Sequence, residues 1–264
     1  MPSLVATDLD GTLLHTDGTV TAHTREVLAR LDELGVPVVF VTGRPIRWMD
    51  SLWEHVGGHG LAICSNGGIV YDVARHEVRT ALTIEPEVCL QVGRALRRAI
   101  PGTTFALEKT GGFAISSDFA PRPETPVDIP RGSLKEIVDG TVVKMLARHD
   151  EMAPDAFWHL VEEHVGSLVT TTWSSSGALV EMSAKGVTKA STLARLAGSL
   201  GVAQADVVAF GDMPNDIDML LWAGTSYAME NAHPSVRRVA SRVAPPNDED
   251  GVAVTLATLF GLER

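Results

Sequence analysis

The feature that most limits how this chain can fold is a repeated pattern: a short, almost wholly apolar run that stops on a cluster of polar residues. Residues 4–7 run into Asp8-Leu9-Asp10-Gly11-Thr12, and residues 36–41 into Thr42-Gly43-Arg44-Pro45. Residues 61–64 run into Ser65-Asn66-Gly67-Gly68, and residues 207–210 into Gly211-Asp212-Met213-Pro214-Asn215-Asp216. Runs this short and this continuously apolar read as strands buried on both faces, the condition of a parallel sheet covered by helices. Between them, Val27, Leu28, Leu31 and Leu34 recur at helical spacing before Gly35, and Leu193, Leu196 and Leu200 do so before Gly201. Shorter helices are expected around Ile46, Met49, Leu52, Trp53 and Val56, and around Ile217, Leu220 and Leu221. The expected fold is α/β, a doubly wound and mostly parallel sheet, and in such sheets ligands bind at the carboxyl ends of the strands.

The rhythm changes in the middle of the chain. A helix opens at Glu85-Pro86 and carries Val88, Val92, Ala95, Leu96 and Ile100, followed by strand-like stretches separated by Gly and Pro clusters. Strands are expected at residues 141–147, 168–173 and 178–182, with a helix over 154–165 and a loop at "TPVDIPRGS". The βα alternation resumes after Lys185. This order describes an α+β domain inserted into a doubly wound core, with residues 1–83 and 183–264 forming the core and 84–182 the insertion.

Composition narrows the function classes. A formal net charge of −11 over 264 residues disfavours the basic footprint of nucleic-acid binding. Any anionic ligand must then be met by local positive groups. No apolar run reaches the length of a membrane span, and the start, Met-Pro-Ser-Leu-Val-Ala-Thr-Asp, reads as a first strand and not as a signal peptide, so a cytoplasmic protein is expected. Cys64 and Cys89 form no CxxC pair and read as core residues, as Trp48, Trp53 and Trp222 read as packing. No feature of the sequence fixes an oligomeric state.

Two acidic strand ends call for an explanation, because buried strands avoid charge. A calcium loop counted from Asp8 would need its bidentate acid at Thr19 and a helix before it, so that reading fails. A turn whose aspartates bond to nearby amides would explain Asp8 and Asp10 alone. Asp212, Asn215, Asp216 and Asp218 at a second strand end, with Thr42 at a third, point instead to a shared cation. Extended geometry alone would project Asp8 and Asp10 to one side, with Leu9 opposite.

In these motifs the chain resembles the phosphohydrolases of the haloacid dehalogenase superfamily. Their hydrophobic strand with DxDGT is matched by Asp8, Asp10, Gly11 and Thr12, their strand-end hydroxyl by Thr42, and their GDxxND turn by Gly211, Asp212, Asn215 and Asp216. The "SNGG" turn, the insertion point and "NAHPSVRRVASRVAPPNDEDGVA" are similar to the Cof-type subfamily, which carries a large α/β cap. "EMSAKGVTKAS" offers two candidates for the motif lysine, and the subfamily's Gly-Val-x spacing selects Lys189 over Lys185, which is left as a solvated hinge residue. Ala190 follows Lys189 where the family usually has Gly.

The resemblance implies that Asp8 is the nucleophile, forming an aspartyl-phosphate, while Asp10 protonates the leaving alcohol and then activates water. It implies Mg²⁺ held by Asp8, the Asp10 carbonyl and Asp212 with support from Asp216. Lys189, the Thr42 hydroxyl, the amides of Leu9 and Gly43, and Asn215 would meet the phosphoryl oxygens. Arg44 and Asn66 lie on strand-end loops that a substrate could reach, while Glu108, Lys109, Arg122, Arg131 and Trp173 are candidates in the cap. The expected activity is hydrolysis of a small phosphorylated metabolite, a sugar or cofactor phosphate. A phosphomutase and a non-catalytic metabolite-binding protein on the same scaffold are the alternatives. His159, His164 and "NDEDG" at 247–251 are read as surface and loop, the latter capping a helix.

Overall fold

The structure is a computed structural model, and it describes residues 1–49, 53, 60–121, 128–173 and 177–262. In chain order its strands are β1 (Leu4–Thr7), β2 (Val38–Val41), β3 (Leu61–Cys64), β4 (Ile69–Asp72), β5 (Glu77–Ala81), β6 (Thr104–Lys109) and β7 (Gly112–Ser116). Then follow β8 (Arg131–Gly132), β9 (Val142–Arg148), β10 (Val169–Thr172), β11 (Leu179–Ala184), β12 (Val207–Gly211), β13 (Thr225–Met229) and β14 (Arg242–Ala244). They divide between two units, Met1–Thr80 with Thr188–Arg264, and Ala81–Val187.

The first unit holds an eight-stranded sheet in the order β14-β13-β12-β1-β2-β3-β4-β5. From β14 to β3 every pairing is parallel, and β4 returns antiparallel to β3. The chain winds outward from β1 in one direction as β2 and β3, and in the other as β12, β13 and β14, so β1 and β12 flank the topological switch point. Thr7 is in register with both Phe210 of β12 and Phe40 of β2, which sets three carboxyl ends side by side. All four residues of β1 are fully buried, which explains its continuous apolar character. The helix Ala22–Glu33 is capped by the Thr21 hydroxyl, which accepts from Thr24 N at 3.0 Å. The helix Lys189–Ser199 opens on a reciprocal box in which Thr188 and Ser191 each cap the other's amide at 3.0 Å.

The second unit is a six-stranded sheet, β10-β11-β9-β6-β7-β8, antiparallel except for the β7–β8 pair. Here the apolar residues alternate. Phe105 and Leu107 of β6, Met145 and Ala147 of β9, and Val180 and Met182 of β11 share one face and form a core with Cys89, Val92 and Leu96 of the helix Pro86–Ala99 and with Phe157 and Val161 of the helix Pro154–Val165. Residues of the opposite parity include Glu108, Lys144 and Glu181.

Several sequence expectations change. The stretch expected as a short helix begins as a single 3-10 turn, Ile46–Trp48, while Leu52 and Val56 lie outside the described residues, as does Arg122. Trp53 packs on Tyr71 with ring centroids 5.7 Å apart, but Trp48 is 44% exposed with the Arg47 guanidinium over its ring, so it does not pack in the core. Cys64 and Cys89 are buried free thiols, and His159 and His164 are exposed. Among the described residues no helix is long and apolar enough to cross a membrane.

Candidate active site

The site is built on the ends of β1, β2 and β12 and on the first residue of the helix Lys189–Ser199. Asp8 follows β1 in an extended conformation (φ −66°, ψ 168°), after which residues 9–13 close into a wide turn with Leu14 N donating to Leu9 O at 2.9 Å. The turn breaks the extended run at Leu9, so Asp10, although itself extended (φ −69°, ψ 123°), does not continue the strand. Asp8 is buried, whereas the Asp10 side chain is 57% exposed, so the two carboxylates do not share one environment as simple alternation predicts. Gly11 sits in this turn at φ +71°, where a Cβ would run into the Asp212 carboxylate.

Lys189 is the hub. Its Nζ lies 3.0 Å from Asp8 Oδ1 and 2.6 Å from Asp216 Oδ1, with all three side chains buried. The other Asp216 oxygen accepts from the amides of Asp212 and Met213 at 3.1 and 3.0 Å, which fixes the turn after β12. Gly211 allows this, since a Cβ there would lie 2.6 Å from Asp216 Cβ. Asp212 Oδ1 accepts from the Thr12 hydroxyl at 3.1 Å. Carboxylate oxygens of Asp8, Asp212 and Asp216 all lie within 4.8 Å of one another.

One ammonium among three buried carboxylates leaves an excess of negative charge, and the protonation equilibria register it. Burial, with Asp216, Asp212 and Asp10 adding to it, pushes the Asp8 carboxyl well above the ordinary range against the pull of Lys189. Burial and then Asp216 push Asp212 up to about 7. Burial works against the Lys189 ammonium, but Asp216 and Asp8 outweigh it and hold its pKa above the ordinary lysine value. An all-oxygen donor set with unneutralised charge fits a hard divalent cation.

At the end of β2, Thr42 N donates to Ile63 O at 2.8 Å and the Thr42 hydroxyl accepts from Arg44 N at 3.0 Å. The Arg44 guanidinium grips Asp10 with both arms of its fork, Nε to Oδ2 at 2.7 Å and Nη2 to Oδ1. That hydrogen bonding raises the Arg44 pKa. Arg44, expected as a substrate contact, is thus engaged with Asp10, and the Asp10 side chain stands outside the carboxylate cluster. Asn66 Oδ1 accepts from Asn215 Nδ2 at 3.1 Å.

Comparison with known proteins decides the family. The profile of the haloacid dehalogenase-like hydrolases matches residues 5–256. The chain belongs to that family. A 5-amino-6-(5-phospho-D-ribitylamino)uracil phosphatase of Bacillus subtilis is 28% identical over 99% of this chain and 98% of its own length. A pyridoxal phosphate phosphatase of Escherichia coli is 29% identical over 95% of this chain and 96% of its own. A haloacid dehalogenase-like hydrolase from Bacteroides thetaiotaomicron shares the fold with a TM-score of 0.77 at 24% identity, covering 98% of this chain and all of that one. The chain is an enzyme of the phosphoric monoester hydrolase type.

Within this haloacid dehalogenase-like hydrolase the two candidate lysines part company. Lys189 reaches Asp8, while Lys185 donates from Nζ to the carbonyl of Gly166 and, at 3.5 Å, to that of Val169, so it is not simply solvated. Two asparagines that the sequence reading did not single out hold the turn carrying Asp10. Asn231 Nδ2 donates to Gly11 O at 2.8 Å, and Asn247 Nδ2 donates to Leu14 O at 2.9 Å. The two are joined by Asn247 N donating to Asn231 Oδ1 at 3.0 Å. Their signal was present in "NAHP" and "NDEDG", which resemble the subfamily without revealing a partner. Asp250, in "NDEDG", accepts from His15 Nε2, Thr21 and Thr24 at 2.9 to 3.0 Å and ties the same loop to the helix Ala22–Glu33.

Proposed function

We propose that the chain is a Mg²⁺-dependent phosphomonoesterase that takes the phosphoryl group of a small phosphorylated metabolite onto Asp8 and passes it to water. The observation that carries the reading is the three-carboxylate cluster around Lys189, with Asp8 directly on the ammonium. In the first step an Asp8 oxygen forms a bond to phosphorus as the bond to the alcohol oxygen breaks, and Asp10 gives that oxygen its proton. In the second, Asp10 takes a proton from water as the water oxygen bonds to phosphorus, and Asp8 is released. The exposed Asp10 carboxyl suits this exchange with substrate and solvent, and Arg44 sets its direction.

A carboxylate meeting a phosphate dianion at about 4 Å is repelled by about 8 kcal/mol at an effective dielectric of 20, so positive charge must surround the phosphoryl group. Lys189 supplies part of it. Asp8, Asp212 and the Asp10 carbonyl would hold Mg²⁺, and Asp216, engaged with Lys189 and two amides, would keep them in place. When bound, Mg²⁺ supplies charge neutralisation and Lewis acidity toward the phosphoryl oxygens. Thr42, the amides of Leu9 and Gly43, and Asn215 would donate to those oxygens.

We assign residues 84–182 the part of a cap that excludes bulk water and selects the leaving group. The named activities of the Bacillus and Escherichia relatives support a sugar or cofactor phosphate as substrate. A panel of such esters, assayed for phosphate release with Mg²⁺ and again with chelator, tests the reading. Mg²⁺-dependent release is expected; no release from any ester, or release indifferent to chelation, overturns it.

A further inference from the structure

Residues 65–67 form a buried turn with three successive left-handed residues, Ser65 (φ +53°), Asn66 (φ +56°) and Gly67 (φ +103°). Two of these are not glycine, and such residues persist only where their surroundings over-determine them. Ser65 and Asn66 are 1% and 2% exposed. The turn touches three parts of the site at once. Ser65 N donates to Arg44 O at 3.0 Å and Asn66 N to Thr42 O at 3.1 Å, so the loop after β2 rests on it. Thr192 of the Lys189 helix donates its hydroxyl to Gly67 O at 2.8 Å, and the Thr188 carbonyl sits so close that a Cβ at Gly67 would collide with it. The Asn66 side chain reaches the turn after β12, accepting from Asn215 Nδ2, and a Cβ at Gly43 would meet Asn66 Oδ1 at 3.1 Å.

Backbone tolerance alone would favour glycine at position 66. What asparagine adds is a side chain between Gly43 and Asn215, two of the groups assigned above to the phosphoryl oxygens. Asn215 Oδ1 is enclosed and has no hydrogen-bond partner among the described residues, so the Asn66 contact is what orients that amide. We propose that Asn66 is a positioning residue: it locks the Asn215 amide against the Gly43 end of the β2 loop so that both address one phosphoryl group. This rests on the phosphatase reading. Asn66 acts on the phosphate-binding groups and not on the carboxylates around Lys189.

The test compares Asn66→Gly, which relieves the backbone, and Asn66→Ser, whose backbone demand Ser65 already meets next door. The readouts are inhibition by inorganic phosphate, kcat and KM for p-nitrophenyl phosphate, and Mg²⁺ affinity measured without substrate. Expected are a phosphate affinity and kcat/KM lowered about 10-fold or more with Mg²⁺ affinity within about twofold of wild type. In an Asn215→Ala background the same Asn66 substitutions should change phosphate affinity less than twofold, because their effect runs through that amide. Wild-type phosphate affinity in either Asn66 variant, equal losses of phosphate and Mg²⁺ affinity, or full additivity with Asn215→Ala overturns the inference. An inactive wild-type enzyme would instead overturn the phosphatase reading itself.

Discussion

Each of the two units buries a lysine among acids, one on a strand and one at the start of a helix, and the two do it differently. In the antiparallel sheet Lys144 on the inner strand β9 stands opposite Glu108 of β6 and diagonal to Glu181 of β11, reaching Glu181 at 2.6 Å. Antiparallel register spreads these charges along the sheet as cross-strand neighbours, with the lysine among them. In the parallel sheet the acids sit beyond the strand ends, and side-by-side carboxyl termini bring Asp8, Asp212 and Asp216 to one point beside Lys189. Among the described residues only this second arrangement groups three carboxylates closely enough to hold a metal ion. A buried ion pair in mid-sheet balances its own charge; crowded acids at a strand terminus are electrostatic stress that a bound cation would relieve.

The largest break in that comparison is Asp8→Asn. It removes the proposed nucleophile but also one of the crowding charges, so kcat should fall by about 10⁴-fold or more while the metal-free protein melts no lower than wild type. A variant with wild-type turnover of p-nitrophenyl phosphate would end the mechanism.

Next come the two lysines, replaced in turn by methionine. Lys189→Met should lower kcat about 10²- to 10³-fold and weaken folding by about 3–5 kcal/mol, since Asp8 and Asp216 lose their partner. Lys144→Met should weaken folding on a similar scale, as Glu181 loses its buried ion pair, yet leave Mg²⁺ affinity unchanged. Urea denaturation and Mg²⁺ titration of both proteins separate the two roles; a loss of Mg²⁺ affinity in Lys144→Met would erase the distinction.

The smallest effect is a pH dependence. Asp212 is raised to about 7 and Asp8 is raised as well, so the folded protein holds protons there that the unfolded chain releases near pH 4. Asp212 thereby adds stability at low pH that is lost as pH rises from about 4 to about 7, and Asp8 acts in the same direction. The melting temperature of the metal-free protein should carry this decline. Mg²⁺ affinity should climb over the same window, because the ion competes with those protons. Asp212→Asn should flatten both curves, and melting curves with and without Mg²⁺ would show it.

Much of this was legible along the chain. Residues 4–7, 36–41, 61–64 and 207–210 read as parallel strands because burial on both faces leaves no polar alternation to mistake for anything else. The helix at 154–165 was equally plain from its spacing and from the proline at its first turn. Strands β4, β5, β13 and β14 were not anticipated. β5 is exposed along its whole length, so it carries no apolar signature. In the site, the grip of Arg44 on Asp10 and the hold of Asn231 and Asn247 on the turn behind it escaped the sequence, because an arginine or asparagine on a loop announces no partner.

The sequence by itself determined which residue types end each buried strand, since that follows from local pattern, whereas the choice of Lys189 over Lys185 came from the family resemblance. Only the tertiary structure decided that β1 lies between β12 and β2, and hence that Asp8 and Asp212 meet. That adjacency joins segments about 200 residues apart, and strand order in a sheet is set by long-range pairing that no local spacing encodes.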